Sequence, residues 1–364
     1  MKNTCNNEKP FNLIDGASGE TTTVIQELSQ QQKVSADSAM ELDARLEAFE
    51  DIFDSEVGDT SLVRARNIER EVGLRQIYLK FEGGNPTGTQ KDRIAFAQAM
   101  DALRRGYDTI NVATCGNYGV ATALAAKYAG LHSRIYIPQN YHTRRAQEMI
   151  ELGAEIIRVN GDYERAVEAS SNEAHRDEGY DANPGSDNML IQMQAYGQIA
   201  YEIYDELRDA PSVVAVPVSN GTTLAGIYKG FLSLYRRGKT SRMPRIVAGS
   251  SFHKNPIVQA FRNKKSSCED LHPSKIHETS INEPLINWHS IDGDYALEAI
   301  RQTDGWAADA SDSAMRSYSR LIREKEGLQV LPASSAGLIA LMDRHRRKPL
   351  TNDRYVAVLT GRKT

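Results

Sequence analysis

The sequence predicts an α/β protein built on open parallel sheets, and three observations carry that reading. Segments of strand and helix character alternate from residue 94 to about 200, the order that parallel strands with right-handed crossovers produce. The run Val213-Val214-Ala215-Val216-Pro217-Val218 is apolar throughout, as suits a strand buried on both faces. The 364 residues are enough for two domains with sizeable cores.

Residues 1–40 are rich in Asn, Gln, Ser, Thr and Glu and poor in apolar side chains. They read as a polar N-terminal extension, with residues 24–28 able to form a short helix. The spacing of Met40, Leu42, Leu46, Phe49, Ile52 and Phe53 predicts an amphipathic helix over 39–53. A strand over 76–81 breaks at Gly83-Gly84-Asn85-Pro86, which is turn chemistry. A helix then starts at Lys91, with Ile94, Phe96, Ala97, Met100 and Leu103 as its apolar face. Strands follow at 109–113, 133–137 and 155–159, with helices over 119–129, 144–152 and 163–178 between and after them. A long helix over 189–207 leads into the apolar strand. Beyond it come a helix over 223–236 and a strand over 245–250. Residues 262–295 are polar and irregular, and the chain closes with helices over 311–326 and 334–346 and a strand over 354–359.

Composition excludes several functions. A net charge of −4, with basic residues spread along the chain, gives no nucleic-acid footprint. The three cysteines, Cys5, Cys115 and Cys268, lie far apart, so neither a disulfide framework nor a metal site is expected. No run is long enough to span a membrane, and the first residues lack an apolar signal core. A reducing, cytoplasmic setting is the expectation.

Four loops carry the chemistry. Lys91 follows a Gly/Thr-rich loop and sits in a first helical turn, where the macrodipole disfavours a cation. That field lowers an amine's pKa and favours its neutral, nucleophilic form. Taken alone, Lys91 reads equally well as an exposed helix-start residue. Ala113-Thr114-Cys115-Gly116-Asn117-Tyr118-Gly119 is a strand-turn-helix passage whose successive N–H groups can bind an anion. Cys115 there reads as a small buried thiol rather than a nucleophile. Ser219-Asn220-Gly221-Thr222-Thr223 repeats the pattern at the C-terminal end of a strand, where open α/β sheets bind ligands. Its amides and two threonine hydroxyls can hold a phosphate without any basic residue. Thr360 ends the last strand.

Asn85-Pro86-Thr87-Gly88-Thr89-Gln90-Lys91-Asp92-Arg93 resembles the lysine segment of fold-type II pyridoxal 5′-phosphate (PLP) enzymes, closest to the threonine synthase version, N-P-T-G-S-F-K-D-R. The cysteine synthase version shares the K-D-R ending. The other loops resemble the family's S-S-G-N-T-G, V-G-N-G-G-N-L-A-G and L-T-G-H-G segments, in the same order. The resemblance implies a fold like that of the tryptophan synthase β subunit: two open parallel-sheet α/β domains with PLP between them. It divides the chain into a large PLP-binding domain, 41–100 with 190–364, and a small mobile domain, 101–189.

The resemblance also implies residue roles. Lys91 forms the Schiff base to the cofactor aldehyde and shuttles substrate protons. Asn117 contacts the cofactor's 3′-oxygen, and Ser219, Asn220, Gly221, Thr222 and Thr223 hold its phosphate. Thr360 faces the pyridine nitrogen. Thr114, Cys115, Gly116 and Tyr118 line the carboxylate loop. A homodimer acting on a small amino-acid substrate is implied as well.

The match fails around the substrate side chain. The family's G-K-I/L segment is missing; Pro138-Gln139-Asn140-Tyr141-His142-Thr143-Arg144-Arg145 stands there instead. Asn183-Pro184 lacks the arginine that follows it in the family, and Leu331 precedes Pro332-Ala333-Ser334-Ser335-Ala336 where an acid is usual. A phosphate-bearing substrate wants cationic partners. Arg144 and Arg145 are candidates, or else solvated helix-start residues.

The leading expectation is threonine synthase-like elimination and replacement, with O-phospho-L-homoserine and water giving L-threonine and phosphate. The alternative within the class is β-replacement or β-elimination on a serine-, cysteine- or diaminopropionate-type substrate. A non-catalytic PLP-fold binding protein is the different-class alternative, and the intact Lys91 argues against it. A dinucleotide-binding protein is excluded, because no G-x-G-x-x-G follows the first strand.

Overall fold

Apolar strands alternating with amphipathic helices build two separate parallel sheets. The computed structural model describes residues 12–14, 21–114, 116–141, 143, 145–351 and 353–363. The larger sheet has six strands, in the order Trp306–Ala310, Arg245–Ser251, Val213–Pro217, Tyr355–Leu359, Ile77–Phe81 and Leu62–Arg64. Only Leu62–Arg64, at one edge, runs antiparallel to its neighbour. The smaller sheet is parallel throughout, in the order Glu155–Val159, His132–Pro138, Thr109–Ala113 and Tyr180–Asp181. Asn12–Ile14 and Thr21–Thr23 form a separate antiparallel pair.

The centre of the larger sheet sets up everything that follows. Strand Tyr355–Leu359 lies between Val213–Pro217 and Ile77–Phe81, parallel to both, with Leu359 opposite Phe81. The C-terminal ends of three neighbouring strands therefore release three loops side by side, at residues 218–221, 360–362 and 82–90. Burial explains the composition of these strands: every residue of Val213–Pro217 and of Tyr355–Leu359 is buried.

The polar N-terminal region holds more order than its composition suggests. Val24–Ala36 is a helix of 13 residues. It docks through its end: the Ser35 hydroxyl donates to Tyr128 O at 2.6 Å, and Arg45 bridges Ser35 O and Ala129 O at 3.1 and 2.9 Å. The following helix, Leu42–Glu56, buries Ala48, Phe49 and Ile52, and Phe49 stacks on Phe96 with ring centroids 5.8 Å apart. Elsewhere the fold adds elements the periodicity did not single out: helices Arg66–Val72, Pro256–Arg262 and Gly293–Gln302, and edge strand Trp306–Ala310. That strand is mostly alanine and has no β-branched residue, so its sequence carries little strand signal.

Three buried charges and one partly buried one, Glu202, meet beside the lysine loop. The Arg93 guanidinium grips Glu82 through Nε and Nη2 at 2.6 and 2.9 Å, and Glu202 through Nη1 and Nη2 at 2.6 and 2.8 Å. Lys80 donates to Glu202 at 2.5 Å and also to Thr60 O. The Thr60 hydroxyl donates to Glu82 at 2.7 Å. Burial alone would raise the Glu202 pKa, but Arg93 and Lys80 outweigh it and hold the carboxyl at about 2. Two cations face two anions, and both carboxylates are bonded more than once, which is what a buried ionic cluster needs to be stable.

Arg93→Met would leave Glu82 and Glu202 short of their shared partner. The expected cost is about 3–5 kcal/mol of folding free energy, read by denaturant unfolding. A loss below about 1 kcal/mol, the range of an exposed pair, would show that the cluster is not a determinant of stability.

Candidate active site

The lysine loop is shaped by its own side chains. Asn85 accepts from Gly58 N at 3.0 Å and donates to Glu82 O at 2.9 Å, closing the turn after the strand. Asp92 accepts from the amide and the hydroxyl of Thr87, at 2.9 and 2.7 Å. The Thr89 hydroxyl accepts from Lys91 N at 3.2 Å. The last strand then fastens the loop from outside: Gln90 N donates to Thr360 O at 3.0 Å, and Arg362 N to Gly88 O at 2.8 Å. Helix Lys91–Arg104 follows, so the lysine is its first residue.

Burial lowers the Lys91 pKa to about 8, and Asp292 opposes that shift only in part. The amine lies 5.4 Å from the centroid of the Tyr118 ring. Lys91 lines a cavity of about 590 Å³, enclosed by all four sequence motifs. Thr114, Gly116, Asn117 and Tyr118 line it from the smaller sheet. Ser219, Asn220, Gly221, Thr222 and Thr223 line it from the larger, and Thr360 completes the set. Cys115 and Arg144 lie outside the described residues. Arg145 does not line the cavity. Its side chain is only 14% exposed, and its Nη1 donates to Asn117 Oδ1 at 2.5 Å.

The loop at 219–223 is a cradle of backbone donors. Helix Thr222–Arg236 begins there, so its unpaired N–H groups and the positive end of its dipole face the cavity. Gly221 has φ +100°, and a Cβ on it would lie 2.7 Å from Asp292 O. Only glycine fits that approach. The Thr222 hydroxyl donates to Asp292 Oδ2 at 2.5 Å, leaving its amide rather than its hydroxyl for a ligand. Asn220 Oδ1 is occupied by Asn287 Nδ2.

At the smaller sheet, Gly119 allows close packing, because a Cβ there would meet Met149 Cε at 2.6 Å. The Tyr118 phenol is buried; it donates to Ala182 O at 2.7 Å and accepts from Gln98. Tyr118 therefore offers the cavity its ring and not its hydroxyl. The Thr360 hydroxyl lies 3.1 Å from Ser334 Oγ, and Ser334 is itself held by Gly361 N at 3.0 Å.

The sequence is matched over residues 53–361 by the family described as pyridoxal-phosphate dependent enzyme. The chain belongs to that family. It is 29% identical over 308 residues to the threonine synthase of Methanocaldococcus jannaschii, covering 84% of this chain and 74% of that one. It is 30% identical over 307 residues to the threonine synthase of Bacillus sp. strain ULM1, covering 84% and 82%. Maize serine racemase has the same fold, with a TM-score of 0.73 at 18% identity over 88% of this chain and 92% of the other. The fold is that of fold-type II PLP enzymes, and PLP is the cofactor. The residues present suit it: a buried amine with a lowered pKa, a helix N-terminus for a phosphate, and a glycine where no side chain fits.

Sequence reasoning passed over several cavity residues. Ser334 lies within the quoted Pro332–Ala336 segment but was given no role. Asn287, Glu283 and Trp288, which line the cavity, and Asp292, which stands behind it and accepts from Thr222, come from a stretch without periodicity, and no local signal marks them.

Two outcomes follow from the titrating groups. Capture of PLP by apoprotein, read as visible absorbance fixed by borohydride, should rise with pH around a midpoint of about 8, because only neutral Lys91 attacks. A midpoint near the ordinary 10.5 would contradict the lowered pKa. Burial also raises the Asp92 carboxyl to about 6, against the bonds from Thr87. A carboxyl whose pKa is raised on folding stabilises fully below its ordinary 3.8, and that contribution is lost as pH rises through about 6. Asp92→Asn should remove this fall from the Tm profile between about pH 4 and 6. An unchanged profile would count against it.

Proposed function

We propose that this enzyme is a PLP-dependent lyase of the threonine synthase type, carrying out elimination and replacement on an activated L-amino acid. The observation that carries the reading is Lys91: a buried amine with its pKa lowered to about 8, in a cavity flanked by two loops that present backbone donors. When bound, PLP supplies the electron sink for a carbanion at the substrate Cα. Lys91 binds the cofactor and moves the proton at Cα, and then one at Cβ. The 219–223 loop holds the cofactor phosphate, and Asn117 meets the 3′-oxygen. The hydroxyl of Thr360 faces the ring nitrogen without a formal charge. Thr114 and Gly116 hold the substrate carboxylate, so that the Cα–H bond is presented to Lys91. A homodimer in a cytoplasmic setting completes the reading.

The likeness to threonine synthases supports O-phospho-L-homoserine as donor, with water added at Cβ. One observation favours a second reading. Asp162, Glu164, Glu278 and Glu283 all line the cavity, and Lys91 is the only lysine or arginine among the described residues lining it. Burial and the neighbouring Glu278 push the Glu283 carboxyl up. Walls of this sign repel a substrate phosphate and attract an amine. They support β-replacement or β-elimination on a substrate with a side-chain amine, of the diaminopropionate type.

Purified holoenzyme offered O-phospho-L-homoserine and L-2,3-diaminopropionate in parallel separates the two. Equal yields of phosphate and threonine would establish the first. Ammonia release from diaminopropionate, with no phosphate from the other, would establish the second. Lys91→Ala should abolish visible absorbance and turnover with either. A variant that still turned over would remove Lys91 from the chemistry and sink both readings.

A further inference from the structure

Arg145 is mostly covered at the border of the cavity without lining it, and it touches both sides of the proposed cofactor site. Its Nε and Nη2 donate to Glu148, one turn along its own helix, at 3.2 and 2.7 Å. Its Nη1 donates to Asn117 Oδ1 at 2.5 Å, and its Nη2 reaches Thr87 O, in the lysine loop, at 3.4 Å. It also lies close enough to Asp92 to lower that carboxyl's pKa. A guanidinium spent on these partners is not placed to receive a substrate phosphate.

The contact to Asn117 has a chemical consequence. A carboxamide has two ends of nearly equal shape, one accepting and one donating, and its surroundings choose between them. A guanidinium has no acceptor, so it can take only the oxygen end. With Oδ1 committed to Arg145, the end left for the cavity is Nδ2, a donor. The guanidinium charge held against Oδ1 also polarises the amide and strengthens its remaining N–H bonds.

We propose that Arg145 is a positioning residue, which sets the orientation of Asn117 and so keeps a hydrogen-bond donor turned toward the cofactor's 3′-oxygen. The proposal rests on the PLP-site reading above, in which Asn117 meets that oxygen. Arg145 takes no part in substrate binding or proton transfer. Without it, Asn117 is free to turn its oxygen toward the cofactor oxygen, and two acceptors then face each other.

The experiment compares purified holoenzyme with Arg145→Ala, Arg145→Lys, Asn117→Ala and the Arg145→Ala/Asn117→Ala double variant. The readouts are the visible spectrum of the lysine-bound cofactor and the cofactor dissociation constant, with unfolding curves alongside. Arg145→Ala should shift the balance between the visible and near-ultraviolet bands and weaken cofactor binding about tenfold, the scale of one hydrogen bond lost. Arg145→Lys, which keeps one cationic donor, should restore part of the spectrum. In the Asn117→Ala background, removing Arg145 should produce no further spectral change.

A wild-type spectrum in a folded Arg145→Ala protein would overturn the proposal. So would an equal spectral shift with and without Asn117, because Arg145 would then act by another route. If Arg145→Ala does not fold, Arg145→Lys decides, and a spectrum and affinity no closer to wild type than those of Asn117→Ala overturn the proposal. A wild-type protein that takes up no PLP would instead refute the site reading on which the proposal stands.

Discussion

The buried ionic cluster around Arg93 is the constraint on which the rest of the site depends. Arg93 lies two residues after Lys91, in the same first turn of helix. By gripping Glu82 at the start of the loop and Glu202 on a distant helix, it fixes where that turn begins. Lys80 and Thr60 complete the cluster from the strand end and from the passage before the edge strand. The result is a loop with both ends anchored in low dielectric, where a misplaced charge is costly. The lysine amine inherits that precision. Its pKa falls because water is kept from it.

A division of labour follows between the two sheets. The larger one contributes groups whose positions follow from strand ends: the lysine, the amide cradle and Thr360 all leave adjacent parallel strands. The smaller one contributes the start of helix Asn117–Ala129, whose register depends on the tight contact at Gly119 and on the buried Tyr118 phenol. Arg145 joins the two, since its guanidinium touches Asn117 on one side and the lysine loop on the other.

Much of this was legible in the sequence, for a physical reason. The loops that line the cavity are local: turn chemistry, a glycine and a helix start lie within about ten residues of one another, and each leaves a pattern. The alternation that predicts parallel sheets is local in the same way. What stayed hidden is made of pairs that meet across the chain. Glu202 looks like the solvated side of a long helix, yet it neutralises Arg93 more than a hundred residues earlier. Lys80 alternates with apolar strand residues, as a solvent-facing residue would, but it is 1% exposed and bonded to Glu202 and Thr60 O. Glu283 and Asn287 come from a segment with no periodicity, and only the fold carries them to the cavity wall. Arg145 reads from sequence as a candidate partner for a substrate phosphate, and its bond to Asn117 is not readable there.

The position of the last strand reaches into how the protein comes into being. Tyr355–Leu359 lies in the middle of the larger sheet, between two strands synthesised far earlier, and its end fastens the lysine loop. While the chain is still being made, those earlier strands have no central partner to pair with. Their edges stay open until Tyr355–Leu359 has been made, and long-range pairing of this kind is slow to form. The loop that carries Lys91 receives its closing bonds at that same late moment. The bonds that close the lysine loop thus wait for the fourth motif, the one furthest along the chain.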